Sequence, residues 1–367
     1  MENESGTARI LSLFIVLINC AMCGFASDSP LPQPVATIAL SAIGPSRQGG
    51  SAWATVVFSS ETSIAVVLCR QDCTSRECSL FLVRWEDGTL TPFAKTPRFD
   101  FGVSIHPAGE GQILTVRGLP PTVLYSADLS TAHDLPKYLA RVSPSGRTVA
   151  ETERGSWKLY RLTDRLEPLR EGTGDLRSVS DEIVVIQDGK TMRVETLDGR
   201  RLGSFPVSDE VSAFRAALLG NNKLYLADCR RTVRVVDFEG KTQLGIHQHG
   251  LCGQGDTTSS ADGRRVLFDF TGRKVPELQH VLESIHTLTT LGMTGPEDFN
   301  REEVRVVDTV TGKTCFDWRR SFSMTYSEVR SAAISPLGKF VAIAADDTLS
   351  IYRLPAVCGA PTITPDK

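Results

Sequence analysis

Strong charge of either sign is absent from this 367-residue chain: 40 Lys and Arg stand against 43 Asp and Glu, for a formal net charge of -3. With a sequence pI near 6.1, that balance removes the global electrostatic case for a nucleic-acid partner. Low-complexity and collagen-like tracts are absent too, so the 30 Gly and 19 Pro read as turns. No H-E-x-x-H, no G-x-S-x-G and no glycine-rich dinucleotide fingerprint occurs, which removes the common signatures of zinc peptidases, serine hydrolases and dinucleotide enzymes. What is present is ordinary: 41% hydrophobic and 23% charged residues describe a globular chain, since disordered chains have fewer apolar residues and larger net charge.

Past the first 25 residues no stretch is long and apolar enough to span a membrane. The run from Ile10 to Ile18 is apolar and uncharged but too short for a bilayer. Gly24-Phe25-Ala26 puts small residues where a cut before Ser27 needs them, the layout of a secretory signal peptide over residues 1–26. Glu2 and Glu4 dilute the single positive Arg9, so an uncleaved anchor is the rival reading. Cys20 and Cys23 fall inside this segment and are read as part of it rather than as a redox pair. The mature chain is expected to be secreted or periplasmic, with no membrane span.

The rest repeats. Ser143-Pro144-Ser145-Gly146, Ser260-Ala261-Asp262-Gly263 and Ser335-Pro336-Leu337-Gly338 each precede a basic residue and an apolar strand. Proline suits the second position of a tight turn because its φ is fixed, and glycine the fourth because it has no Cβ to clash. Weaker copies start at Ser59, His106, Ser180 and Gly220. The steps between these starts are about 47, 37, 37, 40, 40 and 75 residues, one four-stranded unit each except the last, which is a unit plus an insert. A second repeat runs offset from the first. Val233 to Asp237 recurs letter for letter as Val304 to Asp308, each followed by a Gly-Lys-Thr turn, and Trp157 to Leu162 and Leu349 to Leu354 occupy the same place. Alternating β-branched and polar residues between turns read as strands. The Gly-Lys-Thr turns are not phosphate loops, because Val235 and Val307 stand where that motif needs glycine.

The stretch Ser335 to Leu354 (SPLGKFVAIAADDTLSIYRL) resembles a blade of the WD40-type β-propeller family: turn, strand, Asp346-Asp347 turn, strand. The resemblance extends over seven units across residues 35–358. Tyr160-Arg161 and Tyr352-Arg353 replace the family's Trp-Asp pair and its Gly-His pair is missing, which points to a divergent, secreted, bacterial-like member. The expected fold is all-β, a seven-bladed propeller over residues 27–358, with a short helical insert in blade 6 at about 272–300 and a tail at 359–367. The last blade shows three strands only. The unpartnered strand Val35 to Leu40 is expected to complete it and close the ring, leaving no inner edge unpaired.

In such a ring the b–c turns and d–a links share one end and the a–b and c–d turns the other. The irregular connections fall on the first: a b–c turn from Arg70 to Glu77, the blade 6 insert, and the blade 5–6 link His247-Gln248-His249-Gly250-Leu251-Cys252. Arg117, Arg154, Arg230, Arg231, Arg273 and Lys274 are expected there as well. Loops on a rigid scaffold are where binding usually resides. In the insert, Pro276 suits a first helical turn and Leu278, Val281, Leu282, Ile285 and Leu288 share one side, which reads as a helix packed on the rim or as a docking helix.

Seven cysteines remain after residue 26, and an exported protein keeps disulfides. Cys69 and Cys78 would staple a hairpin with Cys73 left over, or Cys73 would pair with Cys78 and leave Cys69. Cys229 would pair with Cys252, and Cys315 with Cys358. Two histidines at i and i+2, His247 and His249, with Cys252 are ligand types for zinc or copper, but no fourth ligand offers itself and no metal or other cofactor is assigned. The sequence therefore reads as a non-catalytic extracytoplasmic scaffold that engages a protein, peptide or anionic glycan through Arg117, Arg154, Arg230, Arg231, His247 and His249. The alternative is a propeller enzyme of hydrolase, lyase or dehydrogenase type with a site at the channel mouth, metal-dependent if the histidines bind an ion. A monomer, or a subunit of an envelope complex, is expected.

Overall fold

In a computed structural model of the chain, the described residues are 32–44, 51–71, 76–99, 104–116, 122–207, 215–219, 223–227, 232–247, 257–273, 300–322, 330–345 and 347–359. The segment 1–26 expected to be a signal, residues 360–367 of the expected tail and residues 274–299 of the expected blade 6 insert lie outside them, and so does the helix expected in that insert. Residues 33–367 form one compact unit, which is the unit described below.

That unit holds seven four-stranded antiparallel sheets. After β1 (Ala36–Ala39) and one turn of helix, α1 (Leu40–Ile43), blade 1 is β2 (Ser51–Phe58), β3 (Ser63–Gln71), β4 (Arg76–Glu86) and β5 (Thr89–Phe99). Blade 2 is β6 (Ser104–Pro107), β7 (Ile113–Val116), β8 (Thr122–Tyr125) and β9 (Ala132–Leu135). Blade 3 is β10 (Arg141–Val142), β11 (Thr148–Glu153), β12 (Ser156–Leu162) and β13 (Leu166–Thr173). Blade 4 is β14 (Asp175–Val179), β15 (Ile183–Asp188), β16 (Thr191–Thr196) and β17 (Arg201–Pro206). Blade 5 is β18 (Arg215–Leu219), β19 (Lys223–Ala227), β20 (Thr232–Asp237) and β21 (Thr242–His247). Blade 6 is β22 (Thr257–Ser259), β23 (Arg265–Arg273), β24 (Asn300–Asp308) and β25 (Thr314–Phe322). Blade 7 is β26 (Arg330–Ile334), β27 (Phe340–Ala345) and β28 (Thr348–Arg353), and its fourth strand is β1. Ala36 stands opposite Ile351 and Ala39 opposite Thr348, so the N-terminal strand closes the ring as the strand count requires.

The repeated Ser-Pro-x-Gly turns join the first and second strands of their blades, and the repeated Val-Arg-Val-Val-Asp segments are the third strands β20 and β24. Gly146 shows why the fourth turn position is glycine. Its φ is +73°, and a Cβ there would lie 2.0 Å from the Pro107 carbonyl oxygen of blade 2. Between blades the core is small and aliphatic, with a few large anchors. Ile64, Val66, Phe81 and Val83 of blade 1 pack with Ala342, Leu349 and Ile351 of blade 7 in one fully enclosed layer. Burying one such side chain contributes about 1.5–3 kcal/mol.

Three local expectations change. Arg70 and Glu77 are not loop residues: they pair with each other, and Gln71 pairs with Arg76, so the blade 1 b–c connection shrinks to residues 72–75. The Cys69–Cys78 bridge joins directly opposed residues of β3 and β4, and that cross-link carries the ladder outward. Cys73 lies outside the described residues. In blade 6, Gly272 and Arg273 pair with Arg301 and Asn300, so these strands run on into the expected insert and Arg273 belongs to β23. The closing strand begins at Ala36 and ends at Ala39, because α1 starts at Leu40. The second bridge, Cys315–Cys358, ties the segment after β28 to the fourth strand of blade 6. Cys229 and Cys252 lie outside the described residues.

Candidate functional site

The seven first strands, β2, β6, β10, β14, β18, β22 and β26, wall the central channel. Each runs from the loop-bearing end (d–a links and b–c turns) to the a–b end. Toward the a–b end they enclose a cavity of about 560 Å³, to which every blade contributes; hydroxyls from the inner strands line it together with His106, Glu110 and Arg147. An inner strand has one edge without a ladder partner, and two of these hydroxyls meet that need. Ser331 Oγ accepts from the Val56 N–H of the next blade at 3.1 Å, and Ser178 Oγ accepts from the Leu218 N–H at 2.9 Å. The channel serines thus bridge neighbouring blades.

Ser104 Oγ lies 3.2 Å from His106 Nε2, two residues along the same strand. Burial holds the His106 imidazole down to a pKa of about 4. A base that weak is poorly matched to proton transfer at neutral pH. The pair therefore reads as a neutral hydrogen bond in the channel wall. Among the described residues no group of three or more His, Cys, Asp or Glu is placed to hold a metal.

In sequence the inner strands carry more arginine than acid. The seven inner strands carry Arg141, Arg177, Arg215 and Arg330, with Asp175 as their only carboxylate, in a chain whose overall charge is slightly negative. Arg215 and Arg330 open their strands at the loop-bearing end, opposite Ala227 and Ala345. Arg141 and Arg177 stand deeper, beside the cavity-lining Val142 and Ser178. Arg141 donates to its neighbour's carbonyl, Ala140 O, at 2.9 Å. Arg177 is held by Gln187 Oε1 at 2.9 Å and Asp175 Oδ2 at 3.4 Å. Burial first, and then the Arg177 guanidinium beside it, lower the Arg141 pKa from its ordinary value, with Tyr138 and Asp175 compensating in part. Two guanidinium groups of like sign thus influence one another on neighbouring inner strands, with Asp175 paired to Arg177, an arrangement that an incoming anion would stabilise.

Of the residues expected at this end, Arg154 is described and fits. It is exposed at the tip of the blade 3 b–c hairpin, with φ +37° beside Gly155. His247 ends β21 opposite Thr232, at the loop-bearing end as expected, and only its backbone is described. Arg117, Arg230, Arg231, His249 and Lys274 lie outside the described residues. The sequence reading passed over Arg141 and Arg177. Their signal was present: an arginine recurs two to five residues ahead of an a–b turn at 141, 177, 215 and 330.

No family model matches the chain, and no curated protein matches it. Among solved structures, the chain is similar to the C-terminal WD40 domain of Sif2, over 89% of this chain and 99% of that one, at 12% identity and a TM-score of 0.46. The chain is a divergent seven-bladed β-propeller. That statement rests on its own sheet order and ring closure.

Proposed function

We propose that this propeller is a non-catalytic scaffold outside the cytoplasm that engages an anionic partner through its central channel. The partner is an acidic protein or peptide segment, or an anionic glycan. The observation that carries the reading is the pair Arg141 and Arg177 on the inner strands of neighbouring blades 3 and 4, near enough for the Arg177 guanidinium to lower the Arg141 pKa, with Asp175 beside Arg177. A ring closed by its own N-terminal strand and cross-linked by two disulfides supports it, because a rigid frame loses little entropy on binding. The disulfides also fit an oxidising compartment such as the periplasm or the exterior. Among the described residues no helix is long and apolar enough to cross a membrane.

The test is equilibrium binding of three fluorescent probes: polyglutamate, a sulfated oligosaccharide and an uncharged dextran. One or both anionic probes bind and weaken as salt rises, because exposed charges are screened beyond about 10 Å at 0.1 M. Equal binding of all three, or binding indifferent to salt, would contradict the reading.

A further inference from the structure

A second, independent surface lies where the a–b turns of blades 6, 7 and 1 meet. A groove of about 550 Å³ lies there, lined by Glu61 of blade 1, by Asp262, Arg264 and Arg265 of blade 6, and by residues of blade 7 that include Leu337 and Lys339. Most of its charges are already engaged within the fold. Glu61 accepts from Ser335 Oγ at 2.8 Å and the Leu337 N–H at 2.9 Å. Asp262 Oδ1 accepts from Ser260 Oγ at 2.6 Å and the Arg264 N–H at 3.0 Å. Arg264 Nε donates to Asp308 at 3.0 Å, and Arg265 donates to the carbonyls of Gly338, Pro355 and Ala356. Lys339 and Arg353 are different. Both are exposed, and neither has an ion-pair partner among the described residues. The Arg353 guanidinium stacks over the Phe340 ring, 5.7 Å from its centroid.

Leu337, Phe340, Leu354 and Ala356 line the groove together with those two cations. Leu337 is 62% exposed, and two further turn residues at this end, Val310 and Val357, are 63% and 69% exposed. The other large apolar side chains that stand out in solvent, Val35, Phe93 and Tyr138, are each below 40%. Apolar lining beside two cations without an ion pair among the described residues has a definite complement. We infer that this groove docks an extended acidic peptide segment of a partner protein, with carboxylates toward Lys339 and Arg353 and an apolar side chain against Leu337 and Phe340. This site is separate from the channel arginines and does not depend on them.

The experiment is fluorescence anisotropy on the folded, oxidised protein with three labelled octapeptides of alternating residues: Asp-Leu, Lys-Leu and Asp-Ser. The Asp-Leu probe is expected to bind about tenfold more tightly than either of the others. Lys339→Gln with Arg353→Gln, both at exposed positions, should lower its affinity about tenfold, and Leu337→Ser should lower it several-fold. Arg141→Ala with Arg177→Ala in the channel wall should leave it unchanged. Equal binding of the acidic and basic probes, or an unchanged affinity in the Lys339/Arg353 variant, would overturn the proposal. Removal of residues 360–367 should leave the affinity unchanged; a tenfold gain would identify this chain's own tail as the occupant and overturn docking of a partner.

Discussion

Ser335 Oγ donates to Glu61 Oε1 at 2.8 Å across the junction where the last blade meets the first. The same relationship recurs across blades 3 and 4. Asp181 accepts from Ser143 Oγ at 2.9 Å, from Ser145 Oγ at 2.6 Å and from Thr148 Oγ1 at 3.1 Å. In each case the first residue of an a–b turn reaches the acidic residue in the next blade's turn. At these two junctions the turn that orders a blade thus also latches it to its neighbour. Glu61→Ala removes both acceptors used at the closing junction and should cost about 1–2 kcal/mol in equilibrium denaturation. Glu61→Gln keeps an acceptor oxygen and should cost less. Equal losses in the two variants would mean that the latch geometry contributes nothing.

Gly146 is expected to tolerate no side chain. Gly146→Ala asks for a Cβ 2.0 Å from Pro107 O and 2.4 Å from Ala108 Cα, on a backbone with φ +73°. Both objections act together, so a loss above about 2 kcal/mol is expected. Urea denaturation monitored by tryptophan fluorescence would measure it.

The two disulfides should differ in weight. Cys315–Cys358 closes a separation of 43 residues and ties the segment after blade 7 to blade 6, whereas Cys69–Cys78 closes only 9 within one hairpin. Loop-closure entropy grows with loop length, and each bridge is worth about 2–4 kcal/mol. Cys315→Ser with Cys358→Ser should lower the unfolding midpoint more than Cys69→Ser with Cys78→Ser. Peptide mapping without reductant should recover both pairs.

His106 gives the fold a defined acid sensitivity. Its folded pKa of about 4 lies below the ordinary value of 6.5, so between those values the unfolded chain takes up a proton that the folded one refuses. The stability linked to a neutral His106 is complete above pH 6.5 and is lost progressively as pH falls toward 4. The full loss is about 3 kcal/mol at 1.36 kcal/mol per pH unit. His106→Gln should flatten the stability profile in that window. A variant profile parallel to wild type would show that His106 is not the group responsible.

The blade frame was legible because its signals are local. Proline and glycine set the a–b turns at Ser143 and Ser335, two-residue alternation marked the strands ending at Asp237 and Asp308, and the lone strand before blade 1 had one place left to pair. What stayed hidden depends on neighbours distant in sequence. Asp181 is a turn residue like others until blade 4 sets it against Ser143, and Arg141 is an ordinary strand arginine until Arg177, 36 residues later, stands beside it. Strand ends were hidden too. Arg70 and Glu77 look like loop residues by composition, yet they continue the β3–β4 ladder one pair beyond the Cys69–Cys78 bridge.

The central claim is that the inner-strand arginines of blades 3 and 4 bind an anion, and Arg141→Ala with Arg177→Ala tests it most directly. Affinity for the anionic probe that binds wild type should fall at least about tenfold, with a shallower dependence on salt. Unfolding should move little or shift upward, because the variant removes two like charges that now influence one another. Unchanged affinity in this variant, with its fold intact, would contradict the account.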